Sequence, residues 1–406
     1  MTIYVVDEKL DNADFDLFVE ENKYGNLLQT TSWAKVKTDW ESRQLMFYSE
    51  PDHELVACAS LLIKRFFKKI KVAYIPRGPV VDYSDAELVV NVFKALKNYA
   101  KKEKFLLIKC DPSFLIDRND SKQTKYCMQT ISALEKMGYR WSGLTMNLSD
   151  MVQPRFQANK YLSDQTITDY KKHSKRLKNN ASKKGVEIIN GHEDEVKIFS
   201  GLVVYTEQRK NIRLRNFDYF KKIKDVFGDN AEFYFAQIDT KKQKTVLKDR
   251  LSDLSKARKD TPVDQKNRLK DLKQQELSVI RQLEELSNIE KSDTDKVIVA
   301  GVLGIHYAKG IELLYASMDD RFKNYYPQYL LDMEIFNRCY QKGLEWANMG
   351  GVEGDLKGGL STFKLSFNPN IEEYIGEFNL VGNKYFYDLG KTIFKFRKQL
   401  RRLKNK

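Results

Sequence analysis

Between Lys241 and Lys296 the chain carries no aromatic residue and is dominated by Lys, Glu, Asp, Gln and Leu. Leu247, Leu251 and Leu254 keep helical spacing. After Pro262 the period resumes at Leu269, Leu272, Leu277, Ile280, Leu283 and Leu286. A narrow apolar stripe on a charged helix needs a partner helix, and a proline break lets two such halves fold back on each other. The stretch therefore predicts an antiparallel hairpin with a coiled-coil seam, imperfect where Arg258 and Glu276 fall at seam positions. Its flanks, "AEFYFAQID" and "KVIVAGVLGIHYAKGIELLYASM", are rich in β-branched and aromatic residues and read as strands. A helical arm inserted into a strand-to-strand connection projects from a sheet domain, which excludes an all-helical chain.

The rest of the chain alternates in the same manner. The helical "DFDLFVEENKYGNLLQTTSWAKVKTDW" precedes strands "RQLMFYSE", "LVACASLLIKRF" and "KVAYIPRGPVVD", then helix "DAELVVNVFKALKNYAKKEK" and strand "FLLIKCDPSF". The second half places helix "TDYKKHSKRLKNNASKKG" before "VEIIN", another helix, the interrupted hairpin, helix "YPQYLLDMEIFNRCYQKGLE" and strand "WANMGGVEG". A chain of 406 residues has length for two or three domains. Two α+β halves of like element order suggest a duplicated mixed-sheet domain.

Net charge is +14, an excess that favours polyanions: nucleic acid, anionic headgroups or a pyrophosphate. It concentrates in "YKKHSKRLKNNASKKG" and in the C-terminal "KTIFKFRKQLRRLKNK". The latter interleaves Ile393, Phe394, Phe396, Leu400 and Leu403 with cations, a pattern that suits a helix on a membrane surface, on RNA, or packed as an ordinary basic surface helix. No apolar run reaches the roughly 20 residues that span a bilayer, and the start "MTIYVVDEKLDNADFD" does not read as a secretion signal. Cys58, Cys110, Cys127 and Cys339 lie far apart, as buried free thiols of a reducing compartment would. They make no metal spacing with His53, His173, His192 and His306, so no metal and no cofactor is expected.

No phosphate-binding Walker loop, no GxSxG elbow and no Ser-His-Asp order is present. What remains is a dispersed set of polar residues beside glycine, proline and aromatic residues: "QTTSWAKVKTDW", "YIPRGPVVDY", "LIKCDP", "RKNIRLRNFDYF", "LLYASMDD" and "GGLSTFKLSF". In "GGLSTFKLSF" the glycines mark either a loop leading into a strand or a close approach of ligand to backbone. Asp111 ends an apolar strand before Pro112. It either caps a turn or positions an ammonium; an ordinary Asp is a poor base near pH 7.

In this order and at these separations the pieces resemble the Fem family of peptidoglycan bridge aminoacyltransferases, with the MurM/MurN branch nearest, over essentially the whole chain. The resemblance implies an α+β fold of two N-acetyltransferase-like (GNAT) mixed-sheet domains with the coiled-coil hairpin inserted. The first domain would span residues 1–148 and the second 149–240 with 297–380. Residues 241–296 would form the arm, and the basic segment 381–406 would pack on the first domain. It also implies transfer of an amino acid, Ala or Ser, from aminoacyl-tRNA to the stem-peptide lysine of lipid II or its soluble UDP-MurNAc-pentapeptide precursor. The setting would be cytoplasmic, peripheral at the inner membrane face, with the basic tail on anionic lipid.

Residue by residue, the resemblance places Lys37 and Arg215 on the precursor diphosphate. Trp40, i+3 from Lys37 on a helix, and Tyr219, i+4 from Arg215, would line the same pocket. Trp40 as core and Arg215 paired to a carboxylate are the structural alternatives. Asp111, Lys364 and Tyr315 are the catalytic candidates, and Phe363 with Lys364 would meet the acylated tRNA end by stacking and by charge. Packing is the alternative for Tyr315. An acyl-CoA N-acyltransferase would share the fold but would carry a pyrophosphate loop of the Arg/Gln-x-x-Gly-x-Gly/Ala type, absent from this sequence.

Overall fold

The computed structural model describes residues 2–8, 13–66, 70–191, 194–210, 215–287 and 295–382; the basic tail assigned to 381–406 lies, from residue 383 on, outside them. The chain divides into two compact units. Of the described residues, unit 1 gathers those within 2–159, 348–365 and 369–382, and unit 2 those within 160–347 with 366–368. The architecture is α+β.

In chain order, β1 (Thr2–Glu8), α1 (Ala13–Glu21) and α2 (Thr31–Val36) lead to β2 (Glu41–Glu50), β3 (Leu55–Phe66), β4 (Ile70–Arg77) and β5 (Val80–Val81). Then come α3 (Ala86–Lys102), β6 (Phe105–Pro112), α4 (Ser121–Lys136) and β7 (Tyr139–Trp141). Next are β8 (Phe156–Tyr161), α5 (Lys172–Lys183), β9 (Val186–Asn190), α6 (Glu195–Lys210), α7 (Phe217–Phe227) and β10 (Ala231–Asp239). Helices α8 (Thr240–Asp260) and α9 (Lys266–Ser287) precede β11 (Lys296–Tyr307), β12 (Gly310–Met318) and α10 (Pro327–Gln341). The last elements are β13 (Trp346–Val352), α11 (Gly359–Leu365), β14 (Asn370–Glu373) and β15 (Phe378–Val381).

The sheet of unit 1 runs β1-β2-β3-β4-β6-β15-β7, with β5 on β3. Its strands pair antiparallel except β4 with β6, which makes the sheet mixed. Helix α3 explains itself: Asp85 accepts from the Leu88 amide to cap it, and Leu88, Val92, Phe93, Leu96 and Tyr99 recur at helical spacing and are buried. They pack with Phe47, Ile75, Ile108 and Phe378 in one core. Burial of each such side chain stabilises by roughly 1.5–3 kcal/mol. The N-terminal stretch read as one long helix breaks into α1, a 3-10 turn at Leu27–Gln29 and α2, because Asn26 and Thr30 each cap a new start with their side chains.

In unit 2, β12-β11-β10-β9 form an antiparallel ladder. Phe199 meets Phe220 and Phe233 edge-on at 5.1 and 5.4 Å and anchors α6 and α7 to it. The arm leaves where Asp239 pairs with Lys296.

Within the arm Glu276 falls on the seam as expected, but Leu277 and Ile280 do not. The buried α9 residues are Glu276, Val279 and Leu286, while Leu277 and Ile280 are exposed. Leu269, Leu272, Leu283 and Leu286 set a heptad phase that puts 276 and 279, not 277 and 280, on the inner row. Glu276 is tolerated there because Arg258 Nε lies 2.9 Å from one carboxylate oxygen and Ser255 donates at 3.0 Å to the other. Removing one partner of such a pair costs more than replacing the pair with apolar groups. Arg258→Ala is therefore expected to weaken the arm by about 1–2 kcal/mol, and the double variant Arg258→Leu, Glu276→Leu to leave it unchanged or strengthen it by about 1 kcal/mol. Amide hydrogen exchange in α8 and α9 reads both.

Candidate active site

Five of the candidate residues, Lys37, Trp40, Asp111, Phe363 and Lys364, belong to unit 1; Arg215, Tyr219 and Tyr315 belong to unit 2.

The parallel register of β4 and β6 sets Pro76 opposite Asp111 and Arg77 opposite Pro112. Asp111 is buried, 1% exposed. One carboxylate oxygen accepts the Arg77 amide at 2.7 Å and the other accepts the Tyr74 hydroxyl at 2.6 Å. Arg77 needs this hold, since its φ of 52° is a left-handed conformation that arginine rarely adopts. The Ser113 hydroxyl donates to its carbonyl at 3.0 Å. Its guanidinium lies 3.7 Å over the Tyr374 ring and donates to the Pro154 carbonyl at 2.6 Å. Fully buried Gln29 then fixes the peptide before Arg77, donating to the Pro76 carbonyl at 2.5 Å and accepting from the Ser60 amide at 2.8 Å. A Cβ on Gly78 would stand 2.6 Å from Gln29 Cδ, which is why glycine follows Arg77. "YIPRGP" is thus a turn pinned from several sides. Sequence reasoning missed Gln29, Arg77 and Tyr74 as its fasteners, although all three stand inside motifs it singled out.

Electrostatics follow from that burial. Desolvation pushes the Asp111 carboxyl up from its ordinary 3.8 to about 6. The Arg77 guanidinium and the hydrogen bonds from Tyr74 and the Arg77 amide pull the other way, and Glu377 adds to the rise. Burial, then the Asp111 charge, holds the Tyr74 phenol well above its usual range, so it stays a donor.

Lys37 and Trp40 do not share a helix, contrary to expectation. Helix α2 ends at Val36, and Lys37 caps it with ψ 55°, so the helical period stops before Trp40. Trp40 instead closes a turn onto the Lys37 carbonyl at 2.8 Å. The Lys37 ammonium sits 4.1 Å over the Trp33 ring, and Trp40 lies under Lys64 at 4.7 Å. Trp40 is half-buried, so it is not core either.

"GGLSTFKLSF" is not a loop before the strand β14; it forms the short helix α11. Lys364 donates to the Gly351 carbonyl at 2.9 Å. Gly350, with φ 78°, turns the chain beside that ammonium. Phe363 is half-buried on the same helix, turned about 100° from Lys364.

In unit 2, Arg215 precedes Asn216, which caps α7 by accepting from the Tyr219 amide. Arg215 is therefore outside the helix, and the i+4 argument fails. The contact exists all the same, with the guanidinium 4.7 Å over the Tyr219 ring. Among the described residues no carboxylate is within ion-pair distance of Arg215. Tyr315 donates to the Tyr219 hydroxyl at 3.4 Å, and its ring meets Phe220 edge-on at 5.3 Å. Burial, then Tyr315, pushes the Tyr219 phenol up against the opposing pull of Arg215.

Two pinned units of this kind match known proteins along their length. The FemAB family matches residues 10–395. The chain belongs to the FemAB family, the one its motifs pointed to. A relative from Staphylococcus saprophyticus, named lipid II:glycine glycyltransferase, is 26% identical over 95% of this chain and 96% of its own. A protein of the same name from Staphylococcus aureus is 26% identical over 94% of each chain. The crystal structure of FemX superposes with a TM-score of 0.71 over 95% of this chain and 99% of that one, at 24% identity. The chain is an enzyme of the aminoacyltransferase class.

Because the Asp111 carboxyl is raised, the folded chain keeps a proton that the unfolded chain has released between pH 4 and 6. Its contribution to stability is complete below pH 4 and is lost as pH rises through about 6. Asp111→Asn keeps an acceptor for the Arg77 amide and removes this dependence. Relative to wild type, the variant should gain up to about 3 kcal/mol between pH 4 and 7, seen as a Tm difference that grows by several degrees. A constant difference across that range would refute it.

Proposed function

We propose that this enzyme transfers a small amino acid from aminoacyl-tRNA to the stem-peptide lysine amine of lipid II, extending the interpeptide bridge of peptidoglycan. The observation that carries the reading is coverage: relatives named lipid II:glycine glycyltransferases align along nearly all of both chains. The motif likeness to the MurM/MurN branch implies Ala or Ser, and the relatives' names add glycine as the third donor to test.

The reaction joins the lysine nitrogen to the aminoacyl carbonyl carbon, breaks the ester, and returns the proton to the tRNA 3′ hydroxyl. An ester-to-amide exchange runs downhill, so rate comes from holding amine and ester together and from stabilising the developing oxyanion. Lys364 is the oxyanion cation, held in place by the Gly351 carbonyl. Phe363 stacks on the terminal base. Asp111 acts through the turn that it fastens at Arg77, a positioning role for a carboxylate already engaged by two donors. Lys37, resting on Trp33, and Arg215, resting on Tyr219, are each a candidate cation for diphosphate within its own unit. Trp40, Tyr219 and Tyr315 line their surroundings. No helix among the described residues is long and apolar enough to cross a membrane. Lipid II would be met at the inner membrane surface.

The test is transfer of radiolabelled Gly, Ala and Ser from charged tRNAs to lipid II and to UDP-MurNAc-pentapeptide, with Lys364→Ala beside wild type. Transfer from one tRNA to lipid II is expected, lowered about 10²–10³-fold in Lys364→Ala with its Tm unchanged. Transfer from an acyl-CoA to an amine, with every tRNA silent, would overturn the reading in favour of the acyl-CoA alternative.

A further inference from the structure

Helix α5 breaks a local rule. Lys172, Lys175, Arg176, Lys178 and Lys183 give it five cations and no acidic residue. Its N-cap is Lys171, which makes no side-chain capping bond. Cations at a helix N-terminus oppose the helix dipole, at roughly 0.3–1 kcal/mol each, where Ser, Asp or Asn would stabilise. A sequence that accepts such a cost at one place points to function there.

The helix is also firmly mounted. Ser174, Leu177 and Ala181 are buried on its inner side, which packs on α10. The Lys171 amide and the Ser174 hydroxyl both donate to the Ser366 carbonyl, at 3.1 and 2.7 Å. Just past the helix, Lys184 donates to the Asn324 carbonyl at 2.7 Å and lies 5.3 Å from the centre of the Tyr325 ring. Lys171, Lys172, Lys175, Arg176 and Lys183 are all exposed. Among the described residues none of them has a carboxylate within ion-pair distance, and Arg176 meets the His173 ring at 3.2 Å.

We propose that the exposed face of α5 seats the phosphodiester backbone of a folded RNA stem, the stem of the aminoacyl donor. The proposal rests on the tRNA reading above. Lysines are point cations that hold phosphates without reading bases, which suits a stem gripped by charge alone. Successive turns set the cations about 5.4 Å apart in rows such as Lys171–Lys175–Lys178 and Lys172–Arg176. An interfacial membrane helix would instead offer Leu, Phe or Trp along one outward face. Leu177 and Ala181 are already committed to the interior, and the outward positions are Lys, Arg, His, Asn and Ser. Ser366, to which α5 is bonded, stands two residues along the chain from Lys364.

The test is fluorescence anisotropy of a labelled acceptor-stem RNA hairpin against the full chain over a KCl series. The triple variant Lys172→Gln, Lys175→Gln, Arg176→Gln runs beside wild type, with vesicles of phosphatidylglycerol and phosphatidylcholine as a second probe. Removing three phosphate-binding cations should flatten the log–log salt slope by about 2–3 and weaken binding at least about tenfold near 0.1 M salt. Tm should hold or rise, because cations leave a helix N-terminus. An unchanged slope with wild-type RNA binding intact overturns the role of α5 and leaves the tRNA reading standing. No RNA binding by wild type overturns both. Loss of vesicle binding with RNA binding retained assigns the face to membrane and overturns the proposal.

Discussion

The hold of Asp111 on the Arg77 amide is the constraint on which unit 1's candidate centre depends. A left-handed arginine costs of order 1–3 kcal/mol and persists only where its surroundings fix it from several directions. Here its amide, carbonyl and guanidinium are each engaged, and Gln29 secures the peptide before it. The fasteners come from places remote in sequence: the turn before α2, the end of β6, Pro154 and Tyr374. Strain at one residue therefore ties four chain segments to a single geometry. The same economy explains Asp111. Its carboxyl gains two good donors yet is still pushed up, because full burial removes more hydration than two hydrogen bonds and one guanidinium restore.

A second regularity concerns cations. Lys37 rests on Trp33, Lys64 on Trp40, Arg77 on Tyr374 and Arg215 on Tyr219. An aromatic face attracts a cation through its quadrupole without neutralising it. A carboxylate in the same place would cancel the charge and would have to be displaced before an anion could bind. Side chains held on rings are oriented by them. For Arg215, which has no carboxylate within ion-pair distance among the described residues, this is the physical content behind the diphosphate role proposed for it.

Sequence reading serves well where the signal is long and local. The bounds of β3, β9 and β10 coincide with the strands expected there, since β-branched and aromatic runs end at clear polar or glycine stops. It fails for β14 and β15, four residues each. Their pairing is decided by distant chain: Phe378 lies opposite both Cys110 and Trp141. The seam of α9 is misread from sequence only at Leu277 and Ile280, whose apolar character puts them in the stripe although they are exposed; Glu276 is the inner residue the sequence places there, with Arg258 as its reason. Trp40 is misplaced for a similar cause. Periodicity has no access to the ψ angle at which Lys37 leaves the helix. The candidate residues themselves come from resemblance, while the residues that fasten them require coordinates.

Two glycines show how much one letter conceals. Gly78 does not stand among the residues of positive φ, so its backbone would accept other residues, but a Cβ there would enter the side chain of buried Gln29 at 2.6 Å. Gly350 is the reverse: a Cβ would find Lys364 Nζ at an ordinary 3.6 Å, whereas its φ of 78° penalises any side chain. At Gly78 room is scarce because Gln29 must reach the Pro76 carbonyl and the Ser60 amide together. At Gly350 conformation is scarce because the chain must turn where Lys364 meets the Gly351 carbonyl. One glycine thus protects a fastener and the other shapes the path beside the cation. A change at Gly78 would reach the candidate centre through Gln29 and Arg77, and one at Gly350 would act directly on the chain beside Lys364.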